Sequence, residues 1–403
     1  MDAIFEALFL QSGYNAALVT IGAALLGMSA GASGTFLFLR KRALVSDAVA
    51  HATLPGVGLA FIVMVLLGGD GRALLGLLLG SALTASAGLI IVEWIARRTR
   101  LTEDAAIGAV LSVFFGFGIV LLTIIQTMSS GKQAGLESFL LGSTAGMLFQ
   151  DAIIIAAGGA IALAFVFILR RPMSIVAFDP EFAAASGIDI RRTDLAMMAL
   201  VMAVTVIGLK LVGLILIVAM LIIPSVTARF CTNRTDRVVW IAGLVGGFSG
   251  YVGAAVSASA SGLPTGPIIV LVCFSLFAAA LLFAPERGIL AAWIRHRDFR
   301  LRVHRRQGLL ALAHGEQIFD SLTLSVLSKE GFIRPDGVAT EEGRAQAAKA
   351  LRDEKRWEVA RKIHQDESIA AQYDGLTPIE TLLTRDEIDE IDRRIGPPVG
   401  VPG

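Results

Sequence analysis

The amino-acid sequence predicts an all-α polytopic membrane protein with about eight or nine transmembrane helices, followed by a small, mostly helical, winged-helix-like soluble domain. Two observations carry most of this. Of 403 residues, 55% are hydrophobic and only 17% are charged, whereas soluble domains carry about 25% charged residues. The charges are also segregated: long stretches before Arg287 hold almost none, and the chain after it is dense in them. The formal net charge of +1 gives no general basis for nucleic-acid binding.

A spanning helix needs ~20 mostly apolar residues. Segments of that kind occupy residues 15–39, 45–67, 73–96, 104–126, 151–169, 194–209, 211–229, 238–258 and 265–284. The run 193–230 is too long for one helix, and Gly208 with Lys210 is read as a tight turn dividing it. Residues 137–149 are apolar but too short to span, which suits a re-entrant or interfacial segment. Basic residues orient the spans. One set of loops holds Arg40-Lys41-Arg42, Arg97-Arg98 with Arg100, Arg170-Arg171, Arg191-Arg192, Arg229, Arg234 and Arg237; the opposite set holds only Arg72, Lys132 and Lys210. The first set is expected inside the cell. Nine spans then place the N-terminus outside and the C-terminus inside, and eight require one segment not to cross.

The expected organisation is a transmembrane domain over 1–290, a basic linker over 291–304 and a cytoplasmic domain over 305–403, with a turn at Pro335-Asp336-Gly337. The start of the chain carries Asp2 and Glu6 and lacks the basic stretch of a cleaved signal. The abundant membrane glycines, such as Gly27, Gly31 and Gly246, are read as packing residues. Cys231 and Cys273 lie in or beside apolar runs without a partner at metal-site spacing, so buried thiols are expected.

The second predicted helix contains Asp47 and His51. Residues four apart share one helix face, and ionisable groups at membrane depth are costly enough to suggest function. A carboxylate beside an imidazole suits a divalent first-row cation. His51 is nine residues past Arg42, roughly 13 Å along a helix. Pro55 has no N–H, so the carbonyl of His51 loses its helical partner. The alternative is structural, with Asp47 capping the helix and His51 bonded to a neighbour. His51 is the only histidine before residue 296, which favours a specific role.

Other polar positions read as structural. Glu103 and Asp104 suit a helix N-terminus, Glu93 and Arg97 an i,i+4 pair, and Met198 with Met202 core packing. No G-x-x-x-x-G-K-[ST] loop occurs, so any ATP-driven transport needs a separate ATPase. The residues alone leave three functions open: an ATP-driven permease, an ion-gradient-driven secondary transporter with Asp47 as a relay, and a membrane-tethered regulator.

Several segments resemble the ABC-type manganese/zinc/iron permeases: Leu44–Leu59 with Asp47, His51, Leu54, Pro55 and Gly56; Thr102–Gly108; Phe178–Ala183 with Gly187-Ile188; Leu211–Leu214; Leu221–Pro224 through Ala228-Arg229; Leu263–Gly266; and Phe283–Gly288. In order they cover residues from about 10 to 290. The resemblance implies a multi-pass permease of a bacterial inner membrane, not itself an enzyme and holding no permanent cofactor. Its cargo would be a divalent metal ion, manganese first, with zinc or iron as alternatives. It would act as a homodimer in membrane lipid, with two ATP-binding-cassette ATPase subunits and an extracytoplasmic metal-binding protein. Asp47 and His51 would line the metal path. The segment holding Asp179, Pro180, Glu181, Phe182 and Gly187 would couple to the ATPase.

The tail is similar, over Leu324–Ile333, Ala339–Arg344, Arg352–Glu358 and Leu382–Pro397, to metalloregulators of the diphtheria-toxin-repressor class. It departs at the ligand positions. Glu354, Tyr373 and Thr381 stand where that class places histidines, Gly375 replaces an acid, and Glu380 alone remains. A regulatory or dimer-stabilising role is therefore expected rather than metal sensing or DNA binding.

Overall fold

The computed structural model describes residues 2–11, 13–69, 71, 73–128, 149–260, 263–363 and 375–396. The apolar stretch 137–149 lies outside them except for Phe149. The chain divides into two compact units, Met1–Ile289 and Leu290–Gly403.

The first unit is a helical bundle. A short α1 (Asp2–Leu8) precedes α2 (Tyr14–Leu39), α3 (Leu44–Leu66), α4 (Leu74–Arg98) and α5 (Glu103–Thr127). Then come α6 (Phe149–Phe178), the six-residue α7 (Pro180–Ala185), α8 (Ile190–Val212), α9 (Leu214–Cys231), α10 (Thr235–Ala258) and α11 (Thr265–Phe283). Among the described residues, eight of these helices are long and apolar enough to cross a bilayer, and α9 is a shorter apolar helix. Cys273 is buried, Cys231 is half-buried, and both are free thiols.

Two sequence expectations are corrected. Gly208 and Lys210 lie inside α8, and the break falls at Gly213. The physical reason is backbone geometry: Gly213 has φ 86 and ψ 168, a region essentially restricted to glycine. Lys210 instead lies 3.5 Å from Asp151 at the start of α6. The fifth span is also longer than its apolar run suggests. It passes Arg170-Arg171 and Pro172 to reach Phe178, because Met173 and Val176 are fully buried beyond the proline.

Small residues set the spacing of the bundle. A Cβ on Gly27 of α2 would lie 2.2 Å from the carbonyl oxygen of Gly246 on α10. One on Gly56 of α3 would lie 2.1 Å from that of Gly80 on α4. Both helix pairs therefore meet backbone to backbone, as close-packed membrane helices do. Several buried hydroxyls return to their own helices, with Thr35 donating to the Gly31 carbonyl and Thr205 to that of Val201, which satisfies them away from water.

The second unit contains most of α12 (Ile289–His314), α13 (Ser321–Lys329), α14 (Glu341–Ile363), a 3-10 turn at Ile379–Thr381 and α15 (Arg385–Ile395). Residues 291–304, expected as a linker, are helical within α12. Pro335-Asp336-Gly337 does form a turn, closed by Gly337 N–H donating to the Arg334 carbonyl. The only strand-like pairing among the described residues is the isolated antiparallel bridge between Ile333 and Ala339. Trp357 is fully buried and anchors a small core with Ala360, Ile379, Leu383 and Ile391.

Candidate functional site

Helix α3 places Asp47 one turn from its start and His51 one turn further in. The apolar faces on either side of the pair are buried: Val45, Ala48, Val49, Ala50 and Ala52 are all inside the bundle. Asp47 and His51 share the remaining face, with His51 Nε2 3.3 Å from Asp47 Oδ1. Their side chains are 39% and 17% exposed, so the carboxylate is accessible and the ring is mostly enclosed. Phe115 of α5 meets the imidazole edge-on, with centroids 5.1 Å apart. His51 Nδ1 is buried and has no hydrogen-bond partner.

This arrangement supplies one carboxylate and one imidazole nitrogen, close enough for a single small cation to touch both. Among the described residues, no group of three or more His, Cys, Asp or Glu side chains is placed to hold a metal ion. Met202 accepts a hydrogen bond from the Ser86 hydroxyl, 3.3 Å away, which fits packing rather than soft-metal ligation.

The arginine-rich ends of several helices converge nearby. Arg40, after α2, lies 2.7 Å from Asp194 of α8 and donates to the Val176 carbonyl near the end of α6. Arg42, just before α3, reaches both Glu103 of α5, at 3.2 Å, and Asp194, at 3.7 Å. A cavity of about 270 Å³ among Arg42, Glu93, Arg97, Glu103 and Asp194 opens beside this network. Glu93 pairs with Arg97 as its spacing predicts. Glu103 does more than favour a helix start. Thr102 is the residue whose side chain caps α5, by accepting from Ala105 N–H, which leaves Glu103 for Arg42. Sequence reasoning missed Asp194. The available signal was an acid at the edge of an apolar run, with basic residues in a distant loop.

The segment 178–190 is an exposed elbow between α6 and α8. Asp179 caps α7 by accepting from Phe182 N–H, and Pro180 occupies the first turn. Gly187, with φ 79, ends the elbow. Ala183 is fully buried, whereas Phe178 and Phe182 are more than half exposed. Asp189 then caps α8. Two large apolar rings therefore stand outward at a capped turn.

In the second unit, Glu380 is engaged by cations of the chain itself: Arg356 at 3.6 Å and Lys349 at 3.9 Å. Arg356 also makes two 2.7 Å bonds to Asp392. These bonds hold the Asp392 carboxyl below the usual range and raise the Arg356 guanidinium, while burial pushes Asp353 up.

A bundle with eight helices long and apolar enough to cross a bilayer, among the described residues, defines a polytopic membrane protein. The chain matches the ABC 3 transport family over residues 14–284 and belongs to it. It is 42% identical to the manganese transport system membrane protein MntC of Bacillus subtilis, over 77% of this chain and 70% of that one. It is 37% identical to the zinc transport system membrane protein TroC of Treponema pallidum, over 72% and 95%. Its fold is similar to a chain of PsaBC from Streptococcus pneumoniae in complex with Fab, with a TM-score of 0.62 and 28% identity, covering 73% of this chain and 99% of that one.

Proposed function

We propose that this chain is the membrane permease subunit of an ATP-binding-cassette importer for a divalent first-row metal ion, manganese first, with zinc or iron as alternatives. The observation that carries the reading is the Asp47–His51 pair, joined at 3.3 Å on one face of a candidate span. Relatives named for manganese and zinc transport support the cargo class. A hard carboxylate and a borderline imidazole without thiolate favour manganese over a zinc-selective thiolate site.

One pair is too few ligands for such an ion, which takes four or more. In a homodimer with two-fold symmetry, a second copy presents the same face and supplies a second pair. The metal is transported cargo, held only in passage. ATP hydrolysis belongs to two separate ATPase subunits, which dock on the elbow 178–190 through Phe182. The arginine-rich ends lie on the cytoplasmic side of a bacterial inner membrane, and an extracytoplasmic binding protein delivers metal at the opposite end. Residues 1–290 form the permease, 291–304 a basic connecting stretch, and 305–403 a cytoplasmic, winged-helix-like domain. With Glu380 taken by Arg356 and Lys349, this last domain regulates or stabilises the assembly rather than sensing metal.

The test is uptake of radioactive manganese by the reconstituted complex, with zinc and iron as competitors. Asp47→Ala and His51→Ala each reduce uptake by about 100-fold or more, while the ATPase still co-purifies. Normal uptake by both variants overturns the site assignment. ATP-independent uptake by this chain alone overturns the energy source.

A further inference from the structure

A second cavity, of about 660 Å³, opens between α2, α6 and α10. No residue of α3 lines it, so it is separate from the Asp47–His51 face. Its size falls within the range of about 300–1,000 Å³ typical of small-molecule sites. Ala32, Ala164 and Gly243 leave it open, and its lining is otherwise almost wholly apolar. Around it, Phe165, Ile168, Leu244 and Phe248 are all more than half exposed, as expected of a surface that faces acyl chains.

One end of the cavity is different. Arg170 on α6 and Asp236 in the first turn of α10 both line it. Both belong to the arginine-rich end of the bundle. Neither makes an ion pair with another described residue. Arg170 is held by a ring instead: its guanidinium carbon lies 4.7 Å from the centre of Phe167. Phe167 in turn meets Trp240 at 5.9 Å, and a tryptophan at this level marks the bilayer interface. The cavity therefore offers an apolar trough ending in one cation and one anion at headgroup depth.

We infer that this cavity binds a phospholipid whose headgroup carries a phosphate and a primary ammonium and no carboxylate to oppose Asp236, that is, a phosphatidylethanolamine. The phosphate takes the Arg170 guanidinium, whose planar fork matches phosphate oxygens. The ammonium donates to Asp236, and an acyl chain lies along Ala32, Ala164 and Gly243. A choline headgroup has no N–H to donate, and a glycerol headgroup has no cation for Asp236. The occupant is lipid rather than a second copy because the homodimer proposed above joins through the Asp47–His51 face. The inference otherwise needs only that the spans cross a bilayer.

The full complex is purified in mild detergent, and bound lipid is measured by mass spectrometry. Exchange in nanodiscs then compares phosphatidylethanolamine, phosphatidylcholine and phosphatidylglycerol. Wild type retains phosphatidylethanolamine in preference to both. Arg170→Gln lowers its retention about tenfold, the equivalent of one charge-assisted contact. Asp236→Asn keeps lipid but loses the preference over phosphatidylcholine. Ala164→Trp, which fills the trough, loses the lipid while elution and melting match wild type. Asp47→Ala retains lipid as wild type does, so failure of the transport site and failure of this site are read separately. Equal retention of all three lipids by wild type overturns the proposal, as does unchanged retention in Arg170→Gln and Ala164→Trp. Efficient disulfide formation between two copies of Leu244→Cys in native membranes also overturns it, since the face would then join protomers.

Discussion

Arg40 and Asp194 meet at 2.7 Å, joining the loop that leads into the Asp47–His51 helix to the helix that follows the exposed 178–190 elbow. Their side chains are only 17% and 19% exposed. That separates them from surface pairs, whose contribution is near zero to 1 kcal/mol. Because Arg40 also holds the Val176 carbonyl, both sides of the elbow are tied to the start of α3. Asp194→Asn leaves Arg40 without its carboxylate, while Arg42 keeps Glu103, at a cost of about 1–3 kcal/mol. Thermal unfolding of the full chain in detergent should show a lower midpoint; an unchanged midpoint would mean that the contact carries no stability.

Phe115 fixes the plane of the His51 ring rather than offering a ligand. An edge-on aromatic pair contributes about 0.5–1.5 kcal/mol. Phe115→Ala is therefore expected to raise the metal concentration for half-maximal uptake about 2- to 10-fold, with the maximal rate changed less. Concentration-dependent uptake by the reconstituted complex checks it.

The elbow separates two roles. Asp179→Ala removes a cap and costs about 1 kcal/mol of local stability. Phe182→Ala removes an exposed ring that the fold does not need. Phe182→Ala should weaken ATPase co-purification while the isolated permease melts like wild type. If the ATPase binds Phe182→Ala normally, the docking role of that ring is lost.

Gly213→Ala tests the hairpin between α8 and α9. With φ 86 and ψ 168, a Cβ there costs about 1–3 kcal/mol. Gly208→Ala acts by a different route, since its Cβ would meet the Ile217 side chain at 2.3 Å. Unfolding of a Gly208→Ala, Ile217→Val double variant should recover part of the Gly208→Ala loss. Gly213→Ala should gain nothing from the same partner change.

The second unit carries a pH dependence. Arg356 depresses the Asp392 carboxyl, so its contribution is fully present above the ordinary carboxylate value of about 3.9. It is lost as pH falls through the depressed value. Asp353 is raised by burial; it therefore has the opposite sign and favours the fold more at low pH than at neutral pH. Protection factors for amide exchange across α14 and α15 in the full chain, each taken against the intrinsic rate at its own pH, should fall below about pH 3.9 as the Asp392 contribution is lost, less steeply than Asp392 alone would give because Asp353 opposes it. Asp392→Asn should lose about 1–3 kcal/mol of protection already at neutral pH, together with most of that acid sensitivity.

Much of this was legible in one dimension. A bilayer imposes a length and a polarity on each helix, so hydropathy located the spans and clustered arginines marked their common end. A four-residue spacing was enough to put Asp47 and His51 on one face, because helix periodicity is local. Tertiary packing decided the rest. Nothing local says that α6 runs on to Phe178; the burial of Met173 and Val176 does. The break at Gly213 rather than Gly208 depends on which glycine the neighbouring helices need as a spacer and which as a turn. The convergence of Arg40, Arg42, Glu103 and Asp194 joins residues more than 150 positions apart at its extremes, and only the order in which the helices pack brings them together.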